Sequence, residues 1–175
     1  MFEGIFPPTI TPFTEDDEIN EEKLKEFWDF VIKGGVHGLF ILGTNGEAPL
    51  LTLEEKKKVI KIATDYIGDR VPVIAGTGCI STKETIELVR YAEKCGVSAV
   101  HVVTPFYYPI SQVGLLAHYR RVAKSTELPI IIYQIPSLTN VKISISTLVE
   151  LAKIENIIGI KDSSKDVAWF HNAII

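Results

Sequence analysis

Asn156-Ile157-Ile158-Gly159-Ile160-Lys161 is an apolar run that ends in a lysine and is followed by Asp162-Ser163-Ser164. Its interior shows no polar–apolar alternation, which is the pattern of a strand covered on both faces. An ammonium at the edge of such an interior is costly to desolvate, and a lysine placed there tends to lose its proton. On its own the residue is ambiguous, because a lysine stem can also snorkel out to solvent.

The same design recurs along the chain. Strands are expected at Gly4 to Ile10, His37 to Leu42, Pro72 to Ala75, Ala99 to Val103, Pro129 to Tyr133 and Asn156 to Lys161. Between them, Leu24, Phe27, Trp28, Val31 and Ile32 form a helical stripe. Thr52-x-x-Glu55 and Ser81-x-x-Glu84 read as capping boxes, and Gly34, Gly68 and Gly96 fall where helices should stop. Strand followed by helix, repeated, implies an α/β fold with a parallel sheet and right-handed crossovers.

Two architectures fit that alternation. A doubly wound open sheet advertises a glycine-rich phosphate turn after its first strand. Here that strand runs into Thr9-Ile10-Thr11-Pro12-Phe13, with no GxGxxG. Polar residues stand instead at several strand ends: Thr44 and Asn45, Thr77, Thr104 with Tyr107, Tyr133, and Lys161. A (β/α)8 TIM barrel gathers such ends at one mouth, where barrel enzymes place their chemistry. A complete barrel needs about 250 residues. The chain has 175, so residues 1–175 are expected to form a single barrel domain truncated to about the first six βα units and incomplete at the C-terminus.

Composition narrows the function. With 46% hydrophobic and 23% charged residues the chain is that of an ordinary soluble protein, and a net charge of −4 argues against nucleic acid or an anionic membrane as partner. Lys56-Lys57-Lys58 follows Glu54-Glu55 and reads as a solvated helix face. Cys79 and Cys95 have no CxxC spacing, which suits a reduced cytoplasmic setting. The start Met1-Phe2-Glu3-Gly4 lacks a basic leader region, and no apolar run approaches a membrane span. His37 and His101 are expected in the core or at the rim, and His118 and His171 on helix surfaces. No HExxH or carboxylate–histidine cluster suggests a metal.

Three strand ends suggest a common chemistry. Tyr133 closes its strand with a phenol that can relay protons to an amine at Lys161, and Gly159 leaves room for the lysine stem. Gly43-Thr44-Asn45-Gly46-Glu47 is a turn whose backbone N–H groups can face a carboxylate. An amine, a phenol and a carboxylate cradle together suit a 2-oxo acid.

The motifs Gly43-Thr44-Asn45-Gly46-Glu47, Thr104-Pro105-Phe106-Tyr107-Tyr108-Pro109, Tyr133-Gln134-Ile135-Pro136 and Gly159-Ile160-Lys161-Asp162 resemble the dihydrodipicolinate synthase / N-acetylneuraminate lyase family of class I aldolases. The resemblance runs through the whole chain in order. It implies a (β/α)8 barrel, a homo-oligomer (tetramer or dimer), and a Schiff base between Lys161 and pyruvate. It implies also that Tyr133 shuttles protons, that Thr44 and Asn45 hold the pyruvate carboxylate, and that Tyr107 belongs to a proton relay or a subunit contact. The substrates it implies are a 2-oxo acid, pyruvate, and an aldehyde, with no metal or organic cofactor.

The chain departs from the family pattern at Asn45, where a second hydroxyl residue is usual, and at Gln134, where asparagine is usual. Leu138 stands where the synthase branch has an arginine for the carboxylate of its aldehyde, and leucine cannot make that bidentate contact. The stretch Pro136–Lys142 resembles the sialic acid lyase and 2-keto-3-deoxy-sugar-acid aldolase branches. Cleavage of such a sugar acid is therefore expected, ahead of the synthase reaction of pyruvate with aspartate semialdehyde and of a non-catalytic truncated barrel.

Overall fold

The computed structural model describes residues 2–175. They divide into two compact units, one taking the chain as far as Gly76 together with Tyr91–Ala99, the other Thr77–Arg90 and Val100–Ile175.

In the first unit, α1 (Glu21–Lys33) opens on Asn20, whose side chain accepts the N–H of Lys23. Its stripe buries Leu24 and Trp28. Gly34 ends α1 in a right-handed conformation, and the left-handed turn falls one residue later, at Gly35 with φ 86°. The Thr52 capping box forms as expected at α2 (Leu53–Ile67): its hydroxyl accepts the Glu55 N–H, and the Glu55 carboxylate accepts the Thr52 N–H at 2.7 Å. Within α2, Lys56 is buried, not solvated. Three residues separate it from Val59 and four from Ile60, so helical spacing lays its stem along the apolar stripe.

Strands β1 (Leu39–Ile41) and β2 (Val73–Gly76) pair in parallel, with Leu39 opposite Val73 and Ile41 opposite Ala75. The strand expected at Gly4 to Ile10 reduces to one parallel bridge, Pro8 to Phe40. Phe40 N–H donates to Pro7 O at 3.1 Å and Thr9 N–H to Phe40 O at 3.0 Å. Pro7 and Pro8 have no N–H, so the segment lies along β1 without a continuous ladder.

The second unit holds β3 (Ala99–Val103) from Val100 onward, β4 (Ile130–Gln134) and β5 (Ile157–Asp162). The pairings are parallel: Val103 lies opposite Tyr133, Tyr133 opposite Lys161, and Gln134 opposite Asp162. Most of these positions on β3 and β4 are buried, as their Val- and Ile-rich runs predict. On β5 only Ile157 is buried, and Ile158 and Gly159 are exposed, contrary to the strand covered on both faces expected there. Helix α3 (Thr82–Cys95) starts in this unit, with the Ser81 hydroxyl accepting the Glu84 N–H at 3.1 Å. After it come α4 (Gln112–Ala123), α5 (Pro136–Thr139), α6 (Ile145–Ala152) and α7 (Val167–Ile174). Helix α6 packs against α4 and α7.

His118, expected on a helix surface, is 2% exposed on α4. Its Nδ1 lies 2.9 Å from the Thr82 hydroxyl, and its ring meets Tyr119 edge-on. Burial, helped by the Arg121 charge, lowers its pKa to about 4. Next to it Tyr119 donates to Val102 O at 2.9 Å, and burial pushes its phenol up. Among the described residues no helix is long and apolar enough to cross a membrane.

Candidate active site

Parallel pairing decides the geometry around Lys161. Residues opposite each other on neighbouring strands project to the same face about 4.8 Å apart. Tyr133 and Lys161 are such a pair, and the lysine Nζ lies 3.5 Å from the centroid of the phenol ring. Tyr133 is 3% exposed, while Lys161 is half-buried. A Cβ built on Gly159, two residues before the lysine, would meet nothing within 4 Å, which agrees with the space expected for the lysine stem.

The tyrosine is held from its other side as well. His101 on β3 meets its ring edge-on, with centroids 5.9 Å apart, and the Tyr133 backbone oxygen accepts the Thr104 N–H at 3.1 Å. The hydroxyls of Thr77 and Thr104, both fully buried, have no hydrogen-bond partner among the described residues. These residues stand at or just after strand ends, as the sequence led one to expect. The role of His101 went unforeseen. A histidine inside an apolar strand gives no sign of which ring it will touch on the next strand.

Thr44 and Asn45 belong to the other unit and sit in a tight turn after β1. The turn engages its own N–H groups: Gly46 donates to Gly43 O, Glu47 to Thr44 O, and Ala48 to Gly43 O. The Thr11 hydroxyl closes on Gly46 O at 2.8 Å. The N–H groups of Gly46, Glu47 and Ala48 are therefore committed within the turn. Asn45 presents its side chain to solvent, and Thr44 is half-buried.

Tyr107 is 74% exposed, in contrast to Tyr133. Its backbone is left-handed, with φ 78°, and its ring stacks edge-on with Tyr108 at 4.9 Å. A bulky residue in that conformation carries a steric cost. Leu138, on the short α5, is 59% exposed. Among the described residues no group of three or more His, Cys, Asp or Glu is placed to hold a metal ion. Neither Cys79 nor Cys95 is in a disulfide.

The motif resemblance singled out Lys161 and Tyr133, and the register sets the two opposite each other. The model of the dihydrodipicolinate synthetase family matches residues 1–175. The chain belongs to that family. Its relatives include an uncharacterised DapA-like lyase of Halobacterium salinarum, 44% identical over 171 residues that cover 98% of this chain and 56% of the relative. A 4-hydroxy-tetrahydrodipicolinate synthase of Methanosphaera stadtmanae is 44% identical over 94% of this chain and 56% of its own length. Among solved structures, YagE, a prophage protein of the same family from E. coli K12 in complex with pyruvate, superimposes with a TM-score of 0.96 at 38% identity. That superposition covers 99% of this chain and 59% of YagE. The fold is thus the α/β barrel of the family, of which this chain spans somewhat over half.

Proposed function

We propose that this member of the dihydrodipicolinate synthetase family is a Schiff-base aldolase acting on pyruvate and an aldehyde. The observation that carries the reading is the Lys161 amine 3.5 Å from the ring centroid of buried Tyr133, at opposed ends of β4 and β5. In this reading Lys161, as the neutral amine, attacks the ketone carbon of a 2-oxo acid. Proton transfer to the former carbonyl oxygen and loss of water give an iminium. In the cleavage direction the electron pair of the C3–C4 bond moves into the iminium, leaving an enamine, while the C4 hydroxyl gives up its proton and departs as an aldehyde. Protonation of the enamine and hydrolysis of the imine release pyruvate and restore Lys161. Tyr133 carries the protons, because its phenol can donate and accept beside the amine. Thr44 and Asn45 hold the substrate carboxylate through hydroxyl and amide, and Tyr107 extends the proton relay or forms a subunit contact in a homo-oligomer.

The aldehyde half is assigned from Leu138. With no guanidinium there, the position offers no bidentate partner to a carboxylated aldehyde, which favours cleavage of a 2-keto-3-deoxy sugar acid or an N-acetylneuraminate-like substrate. The synthase reaction, in which pyruvate condenses with aspartate semialdehyde, is the second reading. It draws on the name of the Methanosphaera relative. No cofactor enters either scheme, and the protein is placed in the cytoplasm.

Borohydride trapping tests the proposal. With pyruvate and borohydride the folded protein should gain a covalent pyruvate-derived adduct that maps to Lys161, and Lys161→Ala should gain none. No adduct on folded protein, or an adduct that persists in the variant, refutes the assignment. Efficient turnover of aspartate semialdehyde would move the substrate to the second reading.

A further inference from the structure

Gln134 follows Tyr133 directly and is fully buried, yet the scheme above leaves it without a task. Its carboxamide is satisfied from both sides. The Oε1 atom accepts the N–H of Ile143 at 2.7 Å, and Nε2 donates to Asp162 Oδ1 at 2.9 Å. Asp162 is the residue after Lys161 and lies opposite Gln134 in the register. The Gln134 backbone oxygen also accepts the Ser163 N–H at 2.8 Å.

These bonds belong to a closed ring. Asp162 accepts from the Ser164 N–H at 3.1 Å and from the Ser164 hydroxyl at 2.8 Å. The Ser164 hydroxyl accepts the Asp166 N–H at 3.1 Å, and Asp166 caps α7 by accepting the Trp169 N–H at 2.9 Å. Trp169 returns to the start: its indole N–H donates to Ile143 O at 2.8 Å. Ile143 is therefore gripped at its N–H by Gln134 and at its oxygen by Trp169. Within the ring, only Gln134 reaches directly across from the tyrosine's strand to the turn that follows the lysine.

We propose that Gln134 is a positioning residue, whose carboxamide clamps Asp162 and Ile143 and so holds the Lys161 end of β5 in place beside Tyr133 for imine formation; this rests on the Schiff-base reading above. Satisfied on both sides in a buried site, the amide has little freedom to move, and removing it strands the Ile143 N–H and one lone pair of Asp162. An asparagine would be one methylene short of spanning both partners in this backbone. That accounts for the glutamine in a position where the family pattern has asparagine.

The test compares wild type, Gln134→Met and the double variant Gln134→Glu with Asp162→Asn. Methionine keeps the length and removes both hydrogen bonds. The double variant exchanges donor and acceptor, so that an amide at position 162 donates to a carboxylate at position 134, which still accepts from Ile143. The Ser164 N–H, which shares Asp162 Oδ1 with Gln134, loses its acceptor in that variant and is not read. Two quantities are read on each folded protein: hydrogen exchange of the Ser163 amide, which donates to the Gln134 backbone oxygen, and the rate and pyruvate dependence of borohydride trapping at Lys161. In Gln134→Met, exchange should rise at least tenfold and the trapping rate fall by about 10- to 100-fold, the scale of a displacement near 1 Å, with half-saturating pyruvate changed by less than about threefold. The double variant should recover both to within about threefold of wild type. Unchanged exchange and trapping in Gln134→Met, or no recovery in the double variant, overturns the clamp. Absence of any adduct on wild type sinks the aldolase reading instead, and the exchange data then decide by themselves whether Gln134 holds the lysine's strand end.

Discussion

Acidification should destabilise this protein through His118, and the size of the effect follows from its surroundings. The imidazole is buried against Tyr119 and Thr82, with Arg121 one turn along the same helix, and these hold its pKa at about 4 against an ordinary value of 6.5. Between those values the unfolded chain binds a proton that the folded protein refuses, so stability rises with pH across the window and falls as the solution is made more acid. With folded and unfolded pKa values of about 4 and 6.5, the loss relative to neutral pH is about 2 kcal/mol at pH 5 and about 3 kcal/mol at pH 4. The assay is urea unfolding of wild type and His118→Gln from pH 7.5 to pH 4.5. Glutamine retains a polar partner for Thr82 but takes up no proton. Carboxylates such as Asp29 and Asp166, held below their usual range by hydrogen bonds from Tyr66 and Arg70 and from Lys142, add their own acid sensitivity to both proteins. The difference between the two proteins isolates His118. It should be nearly flat above pH 7 and shift steadily against wild type as pH falls. A difference that stays constant down to pH 4.5 would show that the imidazole charges in place, and the burial argument would fail.

Other expectations follow from single contacts. Thr52→Ala breaks the capping box at α2 and should lower stability by about 1 kcal/mol, read as a lower urea midpoint at constant slope; no shift would mean the cap bonds contribute nothing net. Leu138→Arg places a guanidinium at an exposed site where no core is disturbed. If the aldehyde pocket lies there, turnover of aspartate semialdehyde relative to an uncharged aldehyde should rise by about 10-fold or more, the effect of one charge-assisted pair. An unchanged ratio would detach Leu138 from substrate choice.

Residue patterns carried much of this fold because their physics is local. The capping box at Thr52, the stripe that buries Leu24 and Trp28, and the apolar runs of β3, β4 and β5 each depend on neighbours a few positions away. Errors arose where one side chain has two characters or where a backbone group is missing. Lys56 carries a charge that suggests solvent and a stem that fits the apolar stripe, and the helical period favoured the stem. His118 looked polar enough for a surface, yet desolvation is tolerable for a histidine that stays neutral. The Gly4 to Ile10 run has strand composition, but Pro7 and Pro8 withhold the N–H groups a ladder requires.

At the candidate site, strand ends alone named Tyr133 and Lys161, because a phenol and an amine closing apolar runs stand out against their surroundings. The order of the chain was also enough to suggest the barrel, since repeated strand–helix units admit few topologies. Three-dimensional folding supplied the rest: the register that sets Lys161 opposite Tyr133, the His101 ring beside it, and the glutamine bonded to residues 9 and 28 positions away. A hydrogen bond depends on where two groups meet to within a few tenths of an ångström, and separation along the chain says nothing about that. Periodicity tells which face a side chain takes, and only packed strands settle what it faces.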